Sequence, residues 1–452
     1  MRCQLWLALW VSVALSVTHS EEALVLEGWG GPNIERKEGL GSRNGGGKKL
    51  MVMRHGGSKA TENAVDSALA WLARHQEVDG HFDAQKYEAG SASDTSVTAL
   101  ALLAFLGTGH SEKVGTYKDN VKRAVAWLIS KQNESGLISS SEDEAKAVLP
   151  LGHPHALAGW ALAEAAGLGR VSEAMAAAQK AVDYSVNVQQ HVDKDGRRVG
   201  WGMTAGNPGD TRTSACFIMQ LKMAKVAGLK VPPEAFDGAI RFLDTVQRNA
   251  PDQAAKDPAK IAQLIEHLNS DEYDEREASQ KALADMEGTA ESALREALKG
   301  TPTPEIQKRV RELLALVSSA CRYTSAADVP LDGEACHYTV LGSLCRMFLG
   351  WKKENVAASV EWAVTKHELE WGENGAKADF SHWHFVSLCA FQQGGELWKT
   401  WNQALKEVLL GNQRKGGDED GSWDPVSKHM DRFGRVASTA LGALCLETYY
   451  RY

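Results

Sequence analysis

The sequence predicts an all-α protein, an α6/α6 toroid in which an inner ring of helices stands inside an outer ring. Two observations support this prediction. Amphipathic helical segments alternate along the chain with segments that are apolar almost all round, as expected for half-exposed and fully buried helices. Six such pairs recur with similar turns between their helices. Since one pair cannot bury its apolar face alone, the pairs must stack, and closure into a ring completes the burial.

The repeating unit is clearest at the C-terminus, over residues 404–452. An amphipathic helix ends at Gln413, a turn contains Gly421-Ser-Trp423, and a helix of small apolar residues begins near Val436. The glutamine and the tryptophan are predicted to tie helix to loop, with the indole packed between repeats and its N–H bonded nearby.

The other five units follow the same order from the N-terminus onward. Their outer helices are predicted at Ala64 to Gln76, Ala124 to Gln132, Ala181 to Gln189, Ala239 to Gln247 and Val356 to Lys366. Their inner helices are predicted to begin near Asp94, His155, Asp210, His337 and His382. The toroid is therefore expected over residues 59–250 and 319–452.

The N-terminus is predicted to be a cleaved signal peptide, residues 1–20. Arg2 precedes an apolar run from Leu5 to Val17, and Thr18-His-Ser20 supplies small residues for cleavage. The run is too short to span a bilayer. We expect the mature chain to be exported, either periplasmic or secreted, with no membrane span. Residues 21–58 are glycine-rich and charged, and are predicted to be a flexible lead-in.

Charge and cysteine content narrow the classes of partner. A net charge of −8 and a pI near 6.0 offer no basic face, so nucleic acid is not an expected partner. Cys345, Cys389 and Cys445 share near-identical apolar settings. This repetition favours buried packing thiols over disulfide bridges, although export would permit bridges.

Residues 251–318 interrupt the fourth pair. They are densely charged, poor in aromatic residues and helical in pattern, with Ile261, Leu264, Ile265 and Leu268 forming one apolar stripe. The segment resembles a HEAT-like helical insertion. Such modules present a surface to a protein partner, and a passive spacer is the alternative.

Several motifs in order carry a resemblance to a known family. The helix-Gln, Gly-x-Trp, Asp-Thr-Ser-helix pattern resembles the prenyltransferase and squalene-oxidase repeat of terpene cyclases and protein prenyltransferase β subunits. Stretches such as Gly152-His-Pro-His-Ala156, Gly209-Asp-Thr211 and Gly421-Ser-Trp-Asp-Pro425 look like exported bacterial members with no assigned reaction. The resemblance implies the α/α toroid. It implies less about function, because one fold hosts many chemistries.

Polar residues gather at the predicted starts of the inner helices. In a closed ring these starts share one mouth, which makes the following residues candidate catalytic groups: Asp94, His155, Asp210, His337 and His382. Ser438 holds the equivalent position in the last repeat. Helix capping is the alternative for the two aspartates, since a carboxylate there accepts first-turn N–H groups.

Acid-catalysed cyclisation is one functional hypothesis. The resemblance places the cyclase acid in an Asp-x-Asp-Asp motif before a threonine, but this chain has Ser91-Ala-Ser-Asp94-Thr95. Ser93 stands where the resemblance places the proton donor. Gly209 precedes Asp210 in the same way, so that stretch also lacks the donor acid. A zinc site like that of protein prenyltransferases is a second hypothesis, with Asp332, Cys336 and His382 as ligands. Asp332 and Cys336 are spaced more widely than the Asp-x-Cys of that family, so no metal and no cofactor is predicted.

Binding without catalysis is the hypothesis that the sequence favours. A cavity lined by Trp160, Trp201, Trp383 and His384 is expected to hold an isoprenoid-like lipid or other apolar ligand, or a glycan. The alternatives are an extracytoplasmic scaffold that binds a protein through residues 251–318, and a carbohydrate-active enzyme in which Asp94 and Asp210 converge.

Overall fold

The computed structural model of the chain describes residues 40, 43, 45–87, 93–139, 153–189, 196–202, 209–249, 257–286, 290–298, 302–318, 321–327, 329–331, 334–366, 369–426 and 434–451. The predicted signal peptide lies outside these residues. The helices are α1 Gly45–Arg54, α2 Lys59–His75, α3 Asp94–Gly107, α4 Lys118–Ser130, α5 Pro154–Gly169, α6 Ser172–Val188, α7 Thr211–Val226, α8 Pro233–Val246, α9 Pro258–His267, α10 Tyr273–Asp285, α11 Glu291–Ala297, α12 Pro304–Ser318, α13 Ala335–Phe348, α14 Ala357–Lys366, α15 Phe380–Gln393, α16 Gly395–Asn412 and α17 Gly434–Arg451. Two short strands, β1 Gln247–Asn249 and β2 Cys321–Tyr323, pair antiparallel.

The inner ring consists of α3, α5, α7, α13, α15 and α17, and it is closed. Each of these helices packs on the next, and α17 packs back on α3. Nearly every side chain of these helices is buried, as their all-round apolar sequences predict. The outer helices α2, α4, α6, α8, α14 and α16 cover the ring, and α16 returns to α2. The predicted α6/α6 toroid is confirmed. No helix of the described segments is long and apolar enough to cross a membrane.

Glutamines at the ends of outer helices join successive repeats. The Gln76 amide donates to Gly80 O of its own turn and to Asn120 O of the next outer helix. Gln132 makes the same pair of bonds with Gly136 and Ala177. At the end of the chain, the same bonds run from the last repeat to the first, since Gln413 donates to Gly421 O at 2.9 Å and to Ala64 O at 2.8 Å.

The turn after each of these glutamines approaches the neighbouring backbone closely. Gly136 has φ +98°, and a Cβ there would lie 2.2 Å from Lys180 O. Gly421 has φ +94° and is equally close to Ser67 O. Glycine is therefore required on two counts, the left-handed conformation and the absence of a side chain.

A second set of bonds fixes each turn to its own inner helix. The Trp201 amide donates to Ser214 Oγ, and the Trp423 amide donates to Thr439 Oγ1. The Phe82 amide likewise donates to Thr98 Oγ1, and the Tyr323 amide to Thr339 Oγ1. These hydroxyls mark the outward side of the inner helices, so the opposite side of each helix faces the ring axis.

The segment before α2 differs from the flexible lead-in predicted for residues 21–58. Residues 45–54 form α1, which packs against α17. Arg43 is fully buried, and Leu40 packs near Gly167 at the end of α5. The glycine-rich sequence concealed this order because the packing partners of the segment are distant in sequence, from α3 and α5 to the last inner helix α17.

The inserted helices α9 to α12 form a small core of their own. Its buried members include Ile261, Leu268, Leu283, Val310 and Leu313. The segment leaves and rejoins the toroid through the β1–β2 ladder. The predicted stripe on α9 lies in this core, with Leu264 and Ile265 partly buried.

All the cysteines of the described residues are free thiols, and Cys345, Cys389 and Cys445 are fully buried on inner helices. Burial raises the pKa of each of these thiols, so they pack as small apolar groups, as predicted from their repeated setting.

Replacing Gln413 tests whether closure stabilises the whole ring. Gln413→Leu removes two hydrogen bonds that join the last repeat to its turn and to the first repeat, so we expect a loss of about 2 kcal/mol and a lower unfolding midpoint in urea. Gln403→Leu is the matched control, because exposed Gln403 bonds only to Glu407 on the same helix. Equal midpoints for the two variants would contradict a closing role.

Candidate functional site at the ring axis

The axis of the ring ends in a cluster of fully buried charges. Glu164 of α5 accepts from Arg43 at 2.5 Å and from Arg451 of α17 at 2.7 Å. Both guanidinium groups also donate to carbonyl groups, Arg43 to Leu106 O and Arg451 to Leu103 O. Glu164 and Arg451 belong to the helices on either side of α3, so their ion pair joins the two ring neighbours of that helix. The ring is closed at this end, the C-terminal end of the inner helices. We call this cluster the floor.

Glu447 completes the floor but is poorly matched. Its nearest cation is Arg451, 3.7 Å away one helical turn on, and neither carboxylate oxygen has a hydrogen-bond partner among the described residues. Burial raises the pKa of Glu447 to about 8, against the opposing charges of Arg451, Lys48 and Arg43. Gly107 makes room for it, because a Cβ there would lie 1.8 Å from Glu447 Oε2. The floor therefore holds one neutral carboxylic acid below pH 8.

Apolar and aromatic side chains of four inner helices also face the axis. Trp160 lies one turn before Glu164 on the axis-facing side of α5, and Leu100 lies two turns before Gly107 on α3. On α15, Ser387 and Phe391 contact the outer helix α16, which turns Phe385 to the axis. Leu341 of α13 lies opposite outward-facing Thr339 by the same spacing. We call these four residues, Leu100, Trp160, Leu341 and Phe385, the middle layer.

The opposite end of the axis is the mouth, where the inner helices begin. His337 of α13 and His382 of α15 stack there, with ring centroids 4.8 Å apart. Arg212 of α7 lies over the Tyr338 ring and pairs with Glu334 at 2.9 Å. The structure thus brings together two of the predicted histidines, from neighbouring inner helices.

The two predicted aspartates act as local ties and do not converge. Asp210 caps α7, its Oδ1 accepting from the Arg212 and Thr213 amides. Asp94 accepts from the Ala84 amide of its own turn, while Ser93 is the residue that caps α3. Helix capping therefore explains the position of Asp210. The bond from the Ala84 amide explains the position of Asp94. Each carboxylate is thus engaged by backbone amides near its own helix start.

His155 lies on the outward side of its helix. Its Nδ1 accepts from the Ile138 amide at 3.0 Å, which leaves Nε2–H to face Ser185 Oγ at 3.0 Å. Burial, with a smaller effect of His153, lowers the pKa of His155 to about 3. His153 is the residue that caps α5, and burial lowers its pKa to about 4. His155 thus replaces the hydroxyl that binds the turn in other repeats.

The four predicted ligand-binding residues separate into two kinds. Trp201 donates to Ser185 O at 2.8 Å and stacks on Phe217, and Trp383 packs against Trp371 and Phe380. These two indoles belong to the walls between repeats. Trp160 and His384 differ, because Trp160 Nε1 and both ring nitrogens of His384 are buried without a hydrogen-bond partner among the described residues. Burial, aided by Arg451, lowers the pKa of His384 to about 3, so this imidazole is neutral.

The hypothetical zinc ligands are not assembled within the described residues. Cys336 donates to Ala363 O of the outer helix α14, and burial raises its pKa to about 11. Asp332 lies outside the described residues. No group of three or more His, Cys, Asp or Glu side chains there has metal-site geometry.

The sequence reasoning missed the floor. Glu164 in an otherwise apolar helix, and Glu447 with Arg451 one turn later in another, were the available signals, since charges on buried helices must find partners. Arg43 gave no such signal, because its segment has the composition of a linker.

Comparison with known proteins gives fold-level similarity only. No protein-family model and no curated protein matches the chain. Among solved structures, an α-amylase from Clostridium perfringens aligns over 85% of this chain and 98% of its own, with a TM-score of 0.42 and 13% identity. A protein from Actinoplanes aligns over 86% and 99%, with a TM-score of 0.38 and 15% identity. A type II terpene cyclase from Scytonema, in complex with its substrate geranylgeranyl dihydroxybenzoate, aligns over 86% and 98%, with a TM-score of 0.31 and 13% identity.

The cap at Asp210 predicts a stability effect. Asp210→Ala leaves two first-turn amides without their acceptor, so we expect a loss of about 1 kcal/mol, measured by urea unfolding. Exposed Asp237 on α8 supplies the control, Asp237→Ala. A variant at Asp210 as stable as the control would show that the cap contributes nothing.

The acid at Glu447 predicts a pH dependence of stability. Its pKa is about 8 in the folded chain and 4.5 ordinarily, so the folded state keeps a proton that the unfolded state releases. This contribution is full below pH 4.5 and is lost as the pH rises through 8. A displacement of one pKa unit corresponds to about 1.4 kcal/mol. We therefore expect Glu447→Gln to flatten the decline of the melting temperature between pH 5 and 8, while exposed Glu407→Gln leaves it unchanged.

Proposed function

We propose that the chain is a ligand-binding toroid that holds an apolar, isoprenoid-like molecule along its axis, outside the cytoplasm. The observation that carries the proposal is the middle layer, in which four inner helices turn apolar side chains toward one axis. Apolar walls with a few placed polar groups are typical of small-molecule sites. The inner helix α3 has 14 residues, about 21 Å of axis, which suits an extended molecule.

The two ends of the axis support a blind site. The floor fills one end with buried side chains, among which Glu164 pairs with Arg43 and Arg451, and we take the mouth as the end for entry. At the mouth the imidazoles of His337 and His382 and the ring of Tyr338 are positioned to contact a ligand that enters.

The proposal is one of binding and includes no reaction. Asp94 and Asp210, the candidate acids, accept hydrogen bonds from backbone amides near the helix starts. A proton donor for an alkene would have to be an unpaired acid beside the ligand.

Truncation in the middle layer tests the proposal. Farnesene, a hydrocarbon, serves as the probe, with binding measured by native mass spectrometry and tryptophan fluorescence. Phe385→Ala removes apolar contact area worth about 1.4 kcal/mol or more, so we expect affinity to fall about tenfold.

Phe236→Ala is the control, because Phe236 lies partly buried on the outer helix α8. It should change stability without changing affinity. Absence of farnesene binding by the wild-type chain would overturn the proposal, as would equal affinities of the two variants.

A further inference from the structure

The axis contains buried polar groups that the fold itself leaves without partners. Trp160 Nε1, Ser96 Oγ and Ser381 Oγ have no hydrogen-bond partner among the described residues, and neither ring nitrogen of His384 has one. Each of these side chains is at least 97% buried. Native proteins satisfy the great majority of buried polar groups, so a recurrent lack of partners at one place points to a missing one.

These groups lie on the inner helices at and above the middle layer. Ser96 is one turn before Leu100 on α3, and Ser381 is one turn before Phe385 on α15, so each shares the axis-facing side of its helix. Trp160 belongs to the middle layer. His384, three residues before outward-facing Ser387, lies toward the outer side of α15 and does not belong to the axis-facing set. The unpartnered groups thus come from three helices around one axis.

All of these groups are neutral. The hydroxyls and the indole carry no charge, and the imidazole of His384 is deprotonated at physiological pH. The guanidinium groups of the floor donate to Glu164 and to backbone carbonyls. A carboxylate or diphosphate on the ligand would lose its hydration without a free cation to replace it, which is costly.

From this arrangement we infer that the ligand is an uncharged, oxygenated apolar molecule, an alcohol, ether or ketone of isoprenoid type, whose oxygen accepts a hydrogen bond from Trp160 Nε1. This inference rests on the proposed function and names the chemical class of its ligand. An indole N–H can only donate, so the ligand must supply an acceptor. The hydroxyls of Ser96 and Ser381 can donate or accept, and they suit a ligand hydroxyl toward the mouth.

Three C15 probes of matched length test the inference: farnesol, farnesene and farnesoic acid at neutral pH. We expect the wild-type chain to bind farnesol about three- to tenfold more tightly than farnesene, as one neutral hydrogen bond permits, and farnesoic acid more weakly than both. In Trp160→Phe the indole donor is lost while an aromatic ring remains. Trp160→Phe should then bind farnesol and farnesene with about equal affinity.

Trp423→Phe is the matched control. It removes an indole whose N–H donates to Leu409 O, away from the axis. We expect Trp423→Phe to lower the melting temperature more than Trp160→Phe does, and to keep the preference for farnesol. Should Trp423→Phe fold poorly, Trp127→Phe replaces it, since that ring lies against His81 and Lys131 on the outer layer.

The outcomes separate the two proposals. If farnesene and farnesol bind equally well, or if Trp160→Phe keeps the wild-type preference, the inference is wrong and the apolar site stands. Tighter binding of farnesoic acid would also overturn it, because it would show that the floor cations are available to a ligand. If no probe binds, the proposed function fails, and the ligand class with it.

Discussion

The last repeat must pack on the first, and the rest of the structure depends on that constraint. A helix pair of this kind leaves one apolar side open, so an unclosed stack would expose a large apolar face at each end. Closure is made by α17 on α3 and by the Gln413 amide on Ala64 O. Because the six repeats share one geometry, closure also sets the tilt of every helix, and with it the axis onto which the inner helices turn their side chains.

Ring closure by itself does not fill the ends of the axis. The buried charged side chains of the floor fill one of them. Glu164 is held by two arginines, one from the last inner helix and one from the segment before the first outer helix. A buried ion pair contributes little net stability, because desolvation offsets the attraction, but its geometry is selective. The floor therefore specifies where the N-terminal segment docks more than it strengthens the ring. The mouth is then the end at which, in our proposal, a ligand enters.

Local pattern predicted the repeats and the ring, because the inner helices are apolar almost all round and several turns carry a glutamine and a glycine. The same reasoning placed Asp94, His155 and Asp210 at helix starts but could not tell outward from inward. A shift of one residue along a helix turns the side chain by about 100°, which decides between the two sides. His155 is on the outward side of its helix, where its ring accepts from the Ile138 amide. The floor could not be predicted, since Arg43, Glu164 and Arg451 meet only after closure. His337 and His382 are the predicted catalytic residues that the fold brings together.

The chemistry available at the axis argues for recognition over acid catalysis. A protonating group must be an acid held beside the ligand, and the one neutral carboxyl among the described axis residues, Glu447, lies in the floor near Arg451 and Gly107. Trp160 Nε1 has no hydrogen-bond partner among the described residues, and an unpaired buried indole N–H is a cost to the folded chain. A ligand oxygen would relieve that cost, so occupancy should be coupled to stability. Under the proposed function, such a site would select its ligand by one hydrogen bond set within apolar walls.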